Sequence, residues 1–226
     1  LELLMNLGHR QARCLAATAL GREEDGTVGA RRARQHLGGR GCRLVDDGSE
    51  ELLGIVPSDL RIPFNPRDVI ARVVDDSDFD EFKPEYGASL CTGWARIHGY
   101  PIGILANARG VLFSEESQKA TQFIQLANRS DTPLLFLHNT TGYMVGKAYE
   151  EGGMIKHGSM MINAVSNSTV PHISLLIGAS YGAGHYGMCG RAYDPRFLFA
   201  WPSAQVATMS ADIASNVMLE LDRKRH

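Results

Sequence analysis

The sequence predicts an α/β fold in which a parallel sheet is covered on both faces. Two patterns carry that prediction. From Leu52 onward, strand-sized and helix-sized segments alternate, the order that builds crossovers between parallel strands. Two of the strand-sized segments, "PLLFLH" and "PHISLLIGAS", are apolar with little polar alternation, as strands buried on both faces require.

The segments follow in order. "PRDVIARVVDDSDFDEFK" opens with a short helix after Asn65-Pro66, the asparagine capping and the proline in the first turn. "LCTGWARIHGYPIGILAN" reads as two strands around the turn His98-Gly99-Tyr100-Pro101. "SEESQKATQFIQLANR" is a helix capped by Ser114, with Ala120, Phe123, Ile124 and Ala127 on one face. After the strand "PLLFLH", a second helix spans "EEGGMIKHGSMMINAVSNS", with Ile155, Met161, Ile162 and Val165 as its core side and its methionines as packing. "PHISLLIGAS" precedes a glycine turn and a short helix, "RFLFAW" and "AQVATM" are two more strands, and Ser210 caps a closing helix whose apolar face is Ile213, Val217 and Leu221.

The N-terminal part differs. Eight arginines and no lysine lie between Arg10 and Arg43, and the first aromatic residue of the chain is Phe64. Residues 1–51 therefore form an irregular Arg/Gly-rich arm, and residues 52–226 the folded domain. Three readings stay open for the arm: a solvated segment, an RNA-binding arm without aromatic stacking platforms, or a frame error in a GC-rich gene. The chain begins at Leu1 and stops at "LELDRKRH" without a helix-stop glycine, so it reads as a fragment that ends early.

Composition narrows the function. With 226 residues, 44% hydrophobic and 21% charged, the chain is globular. A net charge of -2 argues against nucleic-acid and anionic-membrane affinity. No apolar stretch approaches the roughly 20 residues of a membrane span, and the opening residues show no basic stretch, apolar block and cleavage site, so secretion is not expected. Cys14, Cys42, Cys91 and Cys189 have no metal-type spacing and read as free thiols, with no metal expected.

Gly182, Gly184 and Gly187 spell G-x-G-x-x-G after an apolar strand, the spacing of a dinucleotide loop. That loop normally opens the first strand–helix unit and has an acid about 20 residues on. Here several units precede it and the downstream segment is "WPSAQVATMS". What remains is a corner where first-turn amides of a helix lack internal acceptors and point outward, an arrangement that holds a developing oxyanion. A second glycine loop, "NTTGYMVG", follows another strand, and parallel architecture brings both to the carboxyl edge of the sheet. A purely turn-making role for these glycines stays open.

"GVLFSE", "HNTTGYMVG" and "SYGAGHYGMCGRAYDPRFLFAWP" resemble the C-terminal domain of biotin-dependent acyl-CoA carboxyltransferases. The resemblance runs from about Leu52 to the end of the chain, some three quarters of it. "YGAGHYGM", where propionyl- and acetyl-CoA relatives usually carry "YGGAYDVM", places the chain nearest the β subunits of the methylcrotonoyl or geranoyl branch. The resemblance implies a crotonase-type spiral of ββα units, present here as the second of two domains. It implies transfer of CO2 from carboxybiotin to an acyl-CoA such as 3-methylcrotonoyl-CoA, a step of leucine degradation. Biotin would arrive on a biotin carboxylase/biotin carrier subunit, and the biotin N1' anion left by CO2 release would take the substrate proton. The backbone amides of Ala183 and Gly184 would hold the ureido oxygen, with Gly142, Tyr143, Gly182 and Tyr186 around the biotin and Tyr186 in substrate choice. His185 reads as a surface or packing histidine and Cys189 as core. The thioester hole would lie in the absent first domain, and the site would form between copies in a homo-oligomer. The compartment would be the cytoplasm of a bacterium or the mitochondrial matrix of a eukaryote. The alternatives are a propionyl- or geranoyl-CoA carboxylase β subunit, another crotonase-fold thioester enzyme, or an inactive fragment.

Overall fold

A computed structural model describes residues 52, 54–57, 59–60 and 62–225. The arm expected over residues 1–51 lies outside the described residues. Asn65 caps α1 (Pro66–Val73): its side chain accepts the Arg67 N–H at 3.1 Å, and Pro66 needs no hydrogen-bond acceptor there. The Arg67 guanidinium grips the Glu81 carboxylate at 2.6 and 2.8 Å and ties α1 to strand β1 (Phe79–Glu81).

β2 (Leu90–Ile97) and β3 (Tyr100–Asn107) are antiparallel around a turn of only His98 and Gly99, tighter than the sequence reading. Both residues have positive φ, 52° and 81°, the twist that a two-residue hairpin turn needs. The Asp75 carboxylate accepts both their N–H groups, at 2.9 and 2.6 Å. Tyr100 and Pro101 fall inside β3, where pairing with the next parallel strand begins only at Gly103, so the missing proline N–H leaves no gap.

A short β4 (Val111–Leu112) leads into α2 (Ser114–Arg129), then β5 (Leu134–Thr140), β6 (Gly142–Tyr143), α3 (Lys147–Glu151) and α4 (Met154–Ser166). β7 (His172–Tyr181) runs straight into α5 (Gly182–Gly187), followed by β8 (Phe197–Ala200), β9 (Gln205–Ala207) and α6 (Ala211–Arg225). Strands β3, β5, β7 and β8 are parallel neighbours, and β9 pairs with the far end of β7. β4 and β6 make a small separate parallel pair, so β3-β4-α2 and β5-β6-α4 are successive ββα units.

Side chains alternate between two buried faces. Ile104, Leu135, Leu137, Ile173 and Ile177 pack with Val69 and Ile70 of α1 on one. Leu105, Leu134 and Phe136 pack with Phe123, Ile124, Met161 and Val165 of α2 and α4 on the other. This is the doubly covered sheet that the apolar runs predict.

Three local expectations are corrected. Phe113, not Ser114, is the N-cap of α2, and the Glu116 carboxylate accepts both the Phe113 N–H at 3.2 Å and the Ser89 N–H at 3.0 Å. The helix expected through "EEGG" breaks at Gly152-Gly153: Met161 and Val165 are buried as expected and Ile162 is half-buried, but at the restart Met154 rather than Ile155 turns inward, and Ile155 is 70% exposed. In α6, Ser210 Oγ does accept the Ile213 N–H, but Ile213, Val217 and Leu221 are exposed, because no described element packs over that helix. No helix among the described residues is long and apolar enough to cross a membrane.

Candidate functional site

The carboxyl ends of β5 and β7 meet in the site. Their ladder runs in register to His138–Leu176, then shifts, so that Thr140 pairs with Ser180. The Asn139 side chain fills the gap: its Oδ1 accepts the Ala179 N–H at 3.3 Å, while Asn107 Oδ1 accepts the Asn139 N–H at 3.1 Å. A β-carbon at Gly178 would overlap Asn139 Oδ1. Beyond this shift Thr140 and Thr141 both donate their hydroxyls to Gly110 O, at 3.2 and 2.8 Å, which fixes the loop that carries Gly142.

β7 becomes α5 at one residue. Tyr181 is still extended, with φ −114° and ψ 144°, and Gly182 turns the chain with φ +48°, a left-handed conformation that glycine adopts without steric cost. Gly184 then faces inward so closely that a β-carbon there would lie 2.7 Å from Thr140 Oγ1 and 3.0 Å from Gly142 Cα. Gly182, Gly184 and Gly142 are thus brought together. Ala183 and Tyr186 share the exposed face of α5, and Tyr186, 46% exposed, meets the Tyr193 ring edge-on at 6.0 Å. The Tyr143 ring lies beneath α5 against Gly158 and Gly187, with its hydroxyl 3.6 Å from Met161 Sδ. Burial pushes its pKa up, with Tyr193 adding to the effect, so the phenol stays protonated.

Two histidines and a serine lie behind the helix. His185 Nδ1 is 2.8 Å from Ser180 Oγ, Ser180 Oγ is 2.9 Å from His138 Nδ1, and the Arg191 N–H donates to His185 Nε2 at 3.1 Å. Burial, with His185 adding to it, pushes His138 down to about 3 against an opposing Met188 backbone contribution, and burial lowers His185 as well. Both rings are neutral at pH 7. Cys189 is fully buried, 3.2 Å from His172 Nδ1, and burial drives the two groups apart, the thiol up to about 12 and the imidazole down to about 4. That pair is a neutral contact and no nucleophile, as the core reading of Cys189 expects. Among the described residues no group of three or more His, Cys, Asp or Glu side chains is placed to hold a metal ion.

Thr140, Asn139 and Ser180 were not singled out from the sequence. Asn139 and Ser180 bond across to neighbouring strands and Thr140 bonds the loop carbonyl of Gly110, all partners about 30 or more residues away that no local spacing marks.

The family model for the carboxyl transferase domain matches residues 42–226. This chain belongs to the carboxyl transferase domain family. A probable biotin-dependent acyl-coenzyme A carboxylase beta2 subunit of Mycobacterium tuberculosis is 85% identical over 170 residues, 75% of this chain and 32% of that protein. The mitochondrial methylcrotonoyl-CoA carboxylase beta chain of Dictyostelium discoideum is 52% identical over 77% of this chain and 30% of its own length. The crystal structure of the Pseudomonas aeruginosa geranyl-CoA carboxylase beta subunit superposes with a TM-score of 0.75 at 48% identity, covering 78% of this chain and 34% of that one. The carboxyl transferase chain thus spans about a third of the length of the relatives it matches. Its fold is the crotonase-type one that the resemblance implied.

Proposed function

We propose that this chain is the biotin-facing second domain of a biotin-dependent acyl-CoA carboxyltransferase, acting on 3-methylcrotonoyl-CoA. The observation that carries the reading is the β7–α5 corner. There a strand ends in first-turn amides at Ala183 and Gly184, which have no acceptor within the helix.

The residues fit a ureido oxygen. Its partners would be N–H donors, and this corner offers donors at the positive end of the helix with no competing carboxylate among its residues. Carboxybiotin supplies the CO2 to be transferred. The chain's own part is to hold that oxygen through the amides of Ala183 and Gly184 as negative charge grows on it. Thr140 and Gly142 support Gly184 from below, so the donors do not retreat when charge develops. Gly182 supplies the left-handed turn that starts the helix, where a β-carbon would press on the Thr208 carbonyl, and Tyr186 offers an exposed ring beside the corner. The thioester oxygen would be held by a first domain supplied by another copy, and a biotin carrier subunit would deliver the biotin.

Similarity to a methylcrotonoyl-CoA carboxylase beta chain supports the substrate. Geranoyl-CoA is the second reading, favoured by the superposition on a geranyl-CoA carboxylase beta subunit.

Titration of the chain with biotin methyl ester, followed by amide NMR, tests the corner. Shifts centred on Ala183 and Gly184 are expected, and shifts confined to another surface overturn the assignment. In the assembled carboxylase with carrier, ATP and bicarbonate, 3-methylcrotonoyl-CoA should be carboxylated faster than geranoyl- or propionyl-CoA. Turnover of the thioester without carrier, ATP or bicarbonate would indicate another thioester enzyme.

A further inference from the structure

The helix that presents the two amides has little to hold it. α5 is six residues long, too short to persist on its own, and its inward positions, Gly184 and Gly187, have no side chains to bury. His185 is the one polar side chain it sends back into the protein. The ring bonds on both sides of the helix, to Ser180 on the strand before and to Arg191 on the turn after. Gly190 lies flat on the ring, where any β-carbon would overlap the imidazole.

The proton positions follow from donor and acceptor rules. A backbone N–H can only donate, so His185 Nε2, facing Arg191 N, carries a lone pair. Its proton is therefore on Nδ1 and is donated to Ser180 Oγ. The Ser180 hydroxyl in turn donates to His138 Nδ1. His138 then carries its proton on Nε2, the buried nitrogen for which the geometry supplies no partner. Protonating His185 would set its Nε2–H against the Arg191 N–H, and protonating His138 would take from the Ser180 hydroxyl its acceptor.

We propose that His185, Ser180 and His138 form a neutral, one-directional hydrogen-bond chain that sets the orientation of α5. His185 is then a positioning residue for the amides of Ala183 and Gly184. The role of those amides rests on the function proposed above; the chain itself does not.

The test uses the 226-residue chain with ring-labelled histidine. Nitrogen chemical shifts should show His185 as the Nδ1–H tautomer and His138 as the Nε2–H tautomer at pH 7, with His138 not titrating between about pH 5 and 8 and His185 titrating below the ordinary histidine value. In His185→Ala, hydrogen exchange at Met188 and Cys189, whose N–H groups close α5 on the Gly184 and Tyr186 carbonyls, should quicken about tenfold, the scale of one lost hydrogen bond. His185→Asn, whose amide can restore the Ser180 bond, should recover part of that protection. Ser180→Ala, a small change inside a strand, should reproduce the faster exchange should the alanine variant at 185 fail to fold. The opposite tautomers, or amide exchange unaltered in both variants, would overturn the proposal. If wild-type protein ignores biotin while tautomers and exchange behave as stated, the functional reading fails and the positioning role stands.

Discussion

The hydroxyl of Tyr143 occupies the place where a β-carbon on Gly187 would have to be. A ring from β6, in the β5-β6-α4 unit, thereby supports the helix that follows the next strand of the sheet, β7, and the support works only while position 187 has no side chain.

Gly187→Ala should therefore destabilise the protein, although alanine is by itself the better helix former by about 1 kcal/mol. Overpacking of a filled site costs about 1–3 kcal/mol, and the rigid ring leaves little room to relax. Tyr143→Phe removes the clashing oxygen. Combined with it, Gly187→Ala should cost at least about 1 kcal/mol less than alone. Urea unfolding of the two single variants and the double variant measures this, and additive costs would refute it.

Asp75 is the acceptor for both amides of the His98-Gly99 turn. Asp75→Ala should cost about 1–2 kcal/mol, since it strips two charge-assisted bonds from a hairpin on the surface. Asp75→Asn should cost less, because one oxygen remains. Equal losses in the two variants would show that the bonds contribute nothing specific.

Acid should weaken the fold through its buried imidazoles. His138 and His172 are pushed from 6.5 to about 3 and about 4. Below pH 6.5 the unfolded chain takes up protons that the folded one refuses. Stability is then full above about pH 6.5 and falls as pH drops toward the folded values, by up to about 1.4 kcal/mol per pH unit for each histidine. Urea midpoints at pH 7.5 and 5 should differ in that direction. His172→Gln should flatten the dependence, and an unchanged slope would exclude His172 as a contributor.

Ala183 allows a clean test of the amide donors. Any side chain at Gly184 would strike Thr140, so Gly184→Pro confounds donor loss with packing. Ala183 is exposed and lies in the first turn of α5, where proline is tolerated. In the assembled carboxylase Ala183→Pro should reduce kcat by about 10²–10³ with an unchanged unfolding midpoint, the typical effect of losing one oxyanion donor. Near-normal turnover would remove Ala183 from the site.

Sequence carried the sheet and the corner well, because both depend on local signals. Continuous apolar runs mark β5 and β7, and the glycines after Tyr181 mark a sharp turn. The failures arise where distance in sequence is bridged in space. Glu116 caps its own helix while also bonding Ser89, so the N-cap moved to Phe113, a residue with no capping chemistry. The left-handed turn at Gly153 set the phase of α4, and one residue of phase separates buried Met154 from exposed Ile155. The partners of His185, Ser180 and Arg191, sit at spacings that belong to no helical period, so no pattern in the sequence points to them.

The register shift between β5 and β7 carries one more consequence. Asn139 can reach the Ala179 amide only across a bare Gly178, and Gly178 can stay bare only while something polar bridges the opening. Neither position can drift alone during evolution without harm. In a large set of relatives the two should be inherited as a unit, changing together or not at all.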